Sequence, residues 1–337
     1  MVQTNSMKFT LSKIDNIIIL GGGSETTLKV LKYLKKTNFK FDYFTNTRQL
    51  EDIFPNNLSL RKNLEISNIN YIETNDINNN KLIYKKIKKS TLGFSNGQPW
   101  KFKKKLLKKF NGNFVDFMGI PLPMYRGGAH YSWMILNKNR HGGCFLQNVD
   151  DHTVQGQNDT NKYFLKKEYK YPNKLITPKD YFNYSSKIEI NFLTKFFNKL
   201  KKKQSFNLKE LNKKNLLLFP RLLSKINSYI NWDLDVEEIV RFINAFSDPY
   251  PGAITFLRGK KVFLKNAKIY KRNHFHTYSS GIITNIFEKK LFICSKGGIF
   301  NATCTTLQNK KKDNIKIGER FITNINYLQL AKKHKKF

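Results

Sequence analysis

Apolar positions over the first 150 residues fall in short runs separated by helix-spaced patterns. IDNIIIL (14–20) is an apolar run of strand length; GGGS follows, and TTLKVLKYLKK sets Leu28, Leu31 and Leu34 at helical spacing. Ser24 stands where an N-cap hydroxyl accepts from an early helical N–H. The alternation continues. FKFDYFT (39–45), INYIET (69–74), STLGFS (90–95), FVDFM (114–118) and GGCFLQNV (142–149) read as strands. SLRKNLEIS (59–67), KLIYKKIKK (81–89), KFKKKLLKKF (101–110) and AHYSWMILN (129–137) read as the helices between them. Strands spaced by helices predict a mostly parallel sheet covered on both faces, with its strand order left open.

Periodicity weakens over residues 160–215, where FLTKFFNKL (192–200) is the best helix. It returns at VEEIVRFINAF (236–246), where Ile239, Phe242, Ile243 and Phe246 form one apolar stripe behind a capping-box-like Asp235 and Glu238. DPYPGA (248–253) breaks that helix, because Pro249 and Pro251 lack a donor N–H. Short β-rich pieces follow: ITFLRG, KVFLKNAKIY, GIITNIF, KLFICS and GIFNATCTTLQ. That spacing predicts a small antiparallel barrel. The resulting expectation is a Rossmann-like domain over 1–205, a helical connector over 206–250 and a C-terminal β-barrel over 251–330. No internal repeat is visible.

Composition narrows the class. The chain has 337 residues, 40% hydrophobic and 14% aromatic, which suits a folded protein with substantial cores. The run Ile17–Leu20 is the longest purely aliphatic one, far below the ~20 residues that span a bilayer. The N-terminus shows no secretory pattern, and Cys144, Cys294 and Cys304 have neither disulfide nor metal-ligand spacing. A reducing, cytoplasmic setting without membrane insertion is the simplest expectation. The net charge is +37. Such a field attracts nucleic acid, nucleotides and anionic membranes. The excess is nearly all lysine and is spread along the chain, so a composition-wide bias explains it equally well. Lys103–Lys105, Lys201–Lys203, Lys310–Lys312 and the tail from Lys332 to Lys336 are the dense patches, and solvated faces account for them.

Gly21, Gly22 and Gly23 let backbone N–H groups approach an anion at a helix N-terminus. The dinucleotide fingerprint needs a third spaced glycine, and Thr26 stands there, so a tight strand-to-helix turn is the better reading.

More informative is FVDFMGIPLPMYRGGAHYSW (114–133): a strand, then Leu122-Pro123-x-Tyr125-Arg126-Gly127, then a helix containing Trp133. This resembles the core of the formyltransferase superfamily, which includes methionyl-tRNA formyltransferases and sugar N-formyltransferases. GFSNGQPWKF (93–102) resembles the segment lining that family's folate pocket. GCFLQNVDDHTVQG (143–156) resembles the strand and loop carrying its last catalytic carboxylate, and INAFSDPYPGAITFLRGKKVFLKNAKI (243–269) resembles the connector into its C-terminal barrel. The resemblance implies a Rossmann-like domain followed by an OB-like barrel. It also implies 10-formyltetrahydrofolate as formyl donor, with Phe94, Ser95, Gly119, Leu122, Pro123 and Arg126 on the folate side.

The departures bear on chemistry. Family members place an Asn and a His, two residues apart, on the strand before the turn, and an Asp on the later loop. The matching positions here are Asp116, Met118 and Val154. Formyl transfer needs hydrogen-bond donors for an oxyanion and an acceptor for the amine's proton. One such donor is worth ~100- to 1000-fold in rate. Met118 donates nothing, Val154 neither donates nor accepts, and an ionised Asp116 repels an oxyanion. His152, with Asp150 and Asp151 beside it, is the nearest substitute, and an Asp116–His152 pair would form if the loop folds back. Tyr125, Trp133, His130 and His141 read as packing or surface residues, and Arg126 either holds the turn or meets an anionic ligand. TNTRQLEDIFPNN (45–57) is short and carries Glu51 and Asp52, where tRNA-acting members have a basic insertion. Three readings stay open: an altered transferase acting on an amino sugar, nucleotide-sugar or similar amine; a catalytically inactive relative that binds a ligand or partner; and a methionyl-tRNA formyltransferase-like enzyme. tRNA is the less favoured acceptor, and the oligomeric state is not readable.

Overall fold

From Ile17 to Gly21 every residue is buried, as a strand covered on both faces requires. In the computed structural model, which describes residues 8–37, 39–54, 56–149, 162–306 and 315–334, this strand lies inside a seven-stranded sheet. The order is Ile72–Glu73, Lys40–Thr45, Asn16–Gly21, Thr91–Asn96, Phe114–Met118, His141–Asn148, Leu165–Lys170. The first five run parallel, and His141–Asn148 pairs antiparallel with Phe114–Met118. This is the mostly parallel Rossmann-like sheet that the alternation predicts.

Pleating divides the apolar residues between two faces. On one face Ile17, Ile19, Phe94 and Val115 pack with Leu28, Leu31 and Leu34 of helix Glu25–Lys36 and with Leu193, Phe196 and Phe197 of helix Pro178–Lys199. On the other, Ile18, Leu20 and Phe114 pack with Ile83, Leu106, Leu107 and Phe110. Ser24 caps Glu25–Lys36 by accepting from the Thr27 N–H at 3.2 Å.

The structure differs from the sequence expectations in three places. The helix expected over 192–200 is the end of a longer one, Pro178–Lys199. Its first half buries Ser185 and Ser186 beside the single large ring of Tyr181, so its apolar period is weak. The strand expected over 69–74 shrinks to Ile72–Glu73 at the sheet edge. Strand Lys8–Leu11 pairs antiparallel with Gln204–Asn207, bringing two distant segments together.

The chain divides into two compact units: Met1–Met124, Gly142–Tyr169 and Ser185–Leu216 form the first, which holds most of this sheet; Tyr125–His141, Lys170–Tyr184 and Leu217–Phe337 form the second. The second contains helix Val236–Ala245, capped by Asp235 accepting from the Glu238 N–H at 2.9 Å. Its five-stranded antiparallel sheet runs Ala253–Leu257, Lys260–Arg272, Gly298–Thr306, Lys290–Ser295, Ile283–Phe287. The expected barrel is not closed by strand pairing among the described residues. Instead, Phe256 and Ile322 exchange backbone hydrogen bonds at one edge, while Ile283 donates to Glu319 and Phe321 to Gly281 at the other. Segment 318–322 thus satisfies both edges without being a strand itself. Trp232 stacks on Phe321 at 6.0 Å and donates from Nε1 to Thr255 Oγ1 at 3.0 Å, which anchors the interior.

Gly93 lies where the rings of Phe110 and Phe114 meet edge-on, and a Cβ there would come 2.5 Å from Phe114. The Gly93→Ala variant is expected to lose about 1–3 kcal/mol through overpacking, read as a lower midpoint in urea denaturation at unchanged slope.

Candidate active site

Strand register sets three polar side chains side by side. Asp116 is paired with Ser95 on its parallel neighbour and with Gln147 on its antiparallel neighbour. Directly paired residues share a face, so Ser95, Asp116 and Gln147 form one row across the sheet. All three are fully buried. Ser95 Oγ donates to Asp116 Oδ1 in a short hydrogen bond. Neither polar atom of the Gln147 amide has a hydrogen-bond partner among the described residues. A buried amide without partners costs free energy, so it marks a place where a polar ligand would be favoured.

The order reverses between Asn16–Gly21 and Thr91–Asn96, since the chain builds outward from the first in one direction and from the second in the other. In open α/β sheets ligands bind at the carboxyl ends of strands beside such a reversal. The glycine turn stands there. Gly21 adopts φ +135°, and any Cβ on it would collide with the Asn96 carbonyl. Gly22 donates its N–H to that carbonyl at 3.1 Å, and the Asp52 carboxylate packs against Gly23. These glycines serve close chain approach, with a side-chain carboxylate already beside the helix start. Burial raises the Asp52 pKa.

The residues singled out from sequence separate by role. Phe94 is fully buried against Phe197, at 5.0 Å between rings, on the face opposite Ser95. Met118 packs with Leu122, Phe145 and Leu211 in a small apolar cluster. Gly119 and Pro123 are half-buried at the end of the same strand. Val154 and His152, like Asp150 and Asp151, lie outside the described residues. Arg126 falls in the second unit, where it is buried and its backbone pairs with Leu217 and Phe219. In that unit Tyr125 stacks on Phe219 at 5.2 Å and Trp133 Nε1 donates to the Pro220 carbonyl at 2.8 Å, so both rings pack. Burial pushes the His130 imidazole down to about 4, leaving it neutral near pH 7, and His141 is exposed. Among the described residues no group of three or more His, Cys, Asp or Glu side chains could hold a metal ion, and no helix is long and apolar enough to cross a membrane.

Comparison with known proteins agrees with the fold. Residues 222–322 match the family model described as the formyl transferase C-terminal domain. A methionyl-tRNA formyltransferase of Prochlorococcus marinus is 27% identical over 179 residues, which is 51% of this chain and 51% of that protein. Residues 222–322 thus match the family's C-terminal domain, and sequence and fold are similar to those of the formyltransferase superfamily. The chain matches about half the length of these curated superfamily members. Two solved structures share the fold at low identity. One is a sugar 3N-formyl transferase crystallised with dTDP and 5-N-formyl-THF: TM-score 0.58, 18% identity, covering 89% of this chain and 99% of that one. The other is an N-formyltransferase from Helicobacter canadensis in complex with folinic acid and dTDP-3-aminofucose: TM-score 0.57, 19% identity, covering 87% and 100%.

Two residues near strand Phe114–Met118 escape sequence reading. Gln147 carries no signal until strand pairing sets it beside Asp116. Glu189 is a lone acid in the apolar half of a helix, a pattern that is itself the available signal. It is buried, accepts from Thr26 Oγ1 at 3.2 Å through Oε2, and is hydrogen-bonded by Ser185. Its Oε1 has no hydrogen-bond partner among the described residues and would lie 3.0 Å from a Cβ on Gly119. Burial raises its pKa from 4.5 to about 7, against the lowering effect of Ser185 and Thr26.

A carboxyl whose folded pKa is raised binds its proton more tightly in the folded state. Its contribution is therefore full below about pH 4.5 and is lost as pH rises through about 7. The loss is on the order of 3 kcal/mol at most. The Glu189→Gln variant is expected to show a flatter stability profile between pH 4.5 and 8 and a higher urea midpoint than the parent at pH 8. An unchanged profile would assign the pH dependence to other groups.

Proposed function

We propose that this chain transfers a formyl group to an amine through a site rebuilt around Asp116. The observation that carries the reading is the buried row Ser95–Asp116–Gln147 at the position where the superfamily resemblance puts its catalytic strand. The Gln147 amide supports the fit of a carbonyl-bearing donor, because its Nε2 is a hydrogen-bond donor with no acceptor among the described residues.

10-Formyltetrahydrofolate, when bound, supplies the electrophilic formyl carbonyl. The chain's own residues then divide the work between charge and proton. An attacking amine sheds a proton as its nitrogen bonds to carbon; the Asp116 carboxylate would accept it and pass it to the departing folate nitrogen, whose bond to the formyl carbon breaks. Ser95 orients that carboxylate by donating to Oδ1. Gln147 Nε2 donates to the oxygen on which negative charge builds, a task a carboxylate cannot perform. Met118, embedded among apolar side chains, helps keep water out. Gly119, Leu122 and Pro123 form the folate side in this reading.

For the acceptor we favour a small amine of the amino-sugar class. Two similar structures, a sugar 3N-formyl transferase and a protein holding dTDP-3-aminofucose, match over nearly their whole length. The segment after the second strand is only a short helix, Thr47–Leu50, and not a basic arm. A second reading, methionyl-tRNA as acceptor, is favoured by the names of the curated relatives.

The test is release of tetrahydrofolate from 10-formyltetrahydrofolate by the full chain, with dTDP-linked amino sugars and with initiator methionyl-tRNA as separate acceptors. Turnover with an amino sugar is expected, reduced ~100-fold or more in kcat by Asp116→Ala and by Gln147→Leu. Turnover confined to the tRNA would move the acceptor to the second reading. Folate binding without turnover on any amine would make the chain a non-catalytic relative.

A further inference from the structure

The second unit holds a cleft of about 330 Å³, the size of a small-ligand pocket. Its apolar floor comes from residues such as Ile135, Ile176, Val240 and Ile269, and its rim is cationic: Lys138, Arg140, Arg241 and Arg272. One carboxylate, Glu237, stands among them. Lys138 bonds it at 2.8 Å, Arg272 at 2.7 Å and Arg241 at 3.5 Å. Lys138 and Arg272 hold its pKa down to about 2, so it remains charged at any ordinary pH.

Four cations around one anion leave a positive excess. Arg140 does not reduce it, because its guanidinium donates to the neutral carbonyls of Pro172, Leu175 and Asn173 at 2.8, 3.1 and 3.2 Å. Arg241 contributes a second signal. Its Nε is buried with no hydrogen-bond partner among the described residues, a donor without an acceptor at the wall of the cleft. Composition makes the cluster specific. Only nine of the 61 basic residues are arginine, and three of those nine line this cleft. A general lysine bias does not gather arginines. The guanidinium fork suits phosphate and carboxylate oxygens, and the aliphatic floor suits a flat apolar body.

We propose that this cleft binds a small organic anion with an apolar or aromatic body and a phosphate or carboxylate head, the head meeting Arg241 and its cationic neighbours and the body lying on the aliphatic floor. This site is separate from the Asp116 row and does not depend on the chain being a transferase. Glu237 competes with the ligand's head for the same three cations, so its charge sets the affinity.

Titration calorimetry of the full chain with 1-naphthyl phosphate tests this, with inorganic phosphate and 1-naphthol as controls at the same ionic strength. Saturable binding is expected, at least tenfold tighter for 1-naphthyl phosphate than for either control. Arg241→Gln is expected to weaken it tenfold or more. Glu237→Gln is expected to strengthen it several-fold, a change of opposite sign that damage to the fold would not produce. No saturable binding of 1-naphthyl phosphate, equal binding of inorganic phosphate, or weaker binding by Glu237→Gln would each overturn the proposal.

Discussion

The pairing of strand Phe114–Met118 between Thr91–Asn96 and His141–Asn148 is the constraint on which the site rests. Side chains alternate with a period of two, so a one-residue slip would exchange the Asp116 face for the Phe117 face. The register is held by apolar burial on both sides: Phe114 packs with Phe102 and Phe110, while Val115 and Phe117 belong to the opposite core. Neither face can be lost without exposing several large side chains. The polar row is therefore fixed by the residues between its members, and its cost is carried by the hydrophobic layers above and below it.

That arrangement explains which parts were legible in sequence. Alternating strands and helices up to residue 149 show through local periodicity, because each helix buries one stripe of Leu, Ile or Phe. The glycine turn and both helix caps follow from local hydrogen-bonding chemistry. Three features were hidden for one shared reason: they depend on partners distant in the chain. Strand Lys8–Leu11 has meaning only against Gln204–Asn207. The first half of helix Pro178–Lys199 buries two small serines beside Tyr181, so burial there leaves only a faint apolar trace. The edges of the C-terminal sheet are satisfied by segment 318–322, which has no strand pattern of its own.

Within the site the same division holds. Asp116 and Met118 could be noticed because a resemblance supplied the positions to inspect. What they do could not be read, because it depends on what they face. Met118 packs against Leu122, Phe145 and Leu211, a surrounding that suits its thioether. Asp116 faces Ser95 and shares its row with Gln147, a pairing that only the strand register reveals. Glu189 illustrates the reverse case. A lone acid in an apolar helix is visible in sequence, but only the fold shows it buried beside Gly119 and Thr26.

Charge acts at two scales in this molecule, and the two should not be confused. The +37 excess is dominated by lysines on solvated faces, whose long-range field is screened within about 8–10 Å at ordinary ionic strength. Such a field concentrates any anion near the surface and cannot tell one from another. Discrimination requires groups whose geometry is fixed and whose water has been removed. In the proposed sites those groups are the buried Ser95–Asp116–Gln147 row and, in the arginine-rich cleft, the half-buried Arg140 and Arg241, the first held by hydrogen bonds to backbone carbonyls, while Lys138 and Arg272 beside them stay largely exposed. A substitution at a surface lysine is therefore expected to alter how quickly anions arrive, whereas one in the polar row or at Arg241 is expected to alter which molecule stays. Selectivity in this protein is thus expected to follow a handful of buried side chains and not its overall basicity.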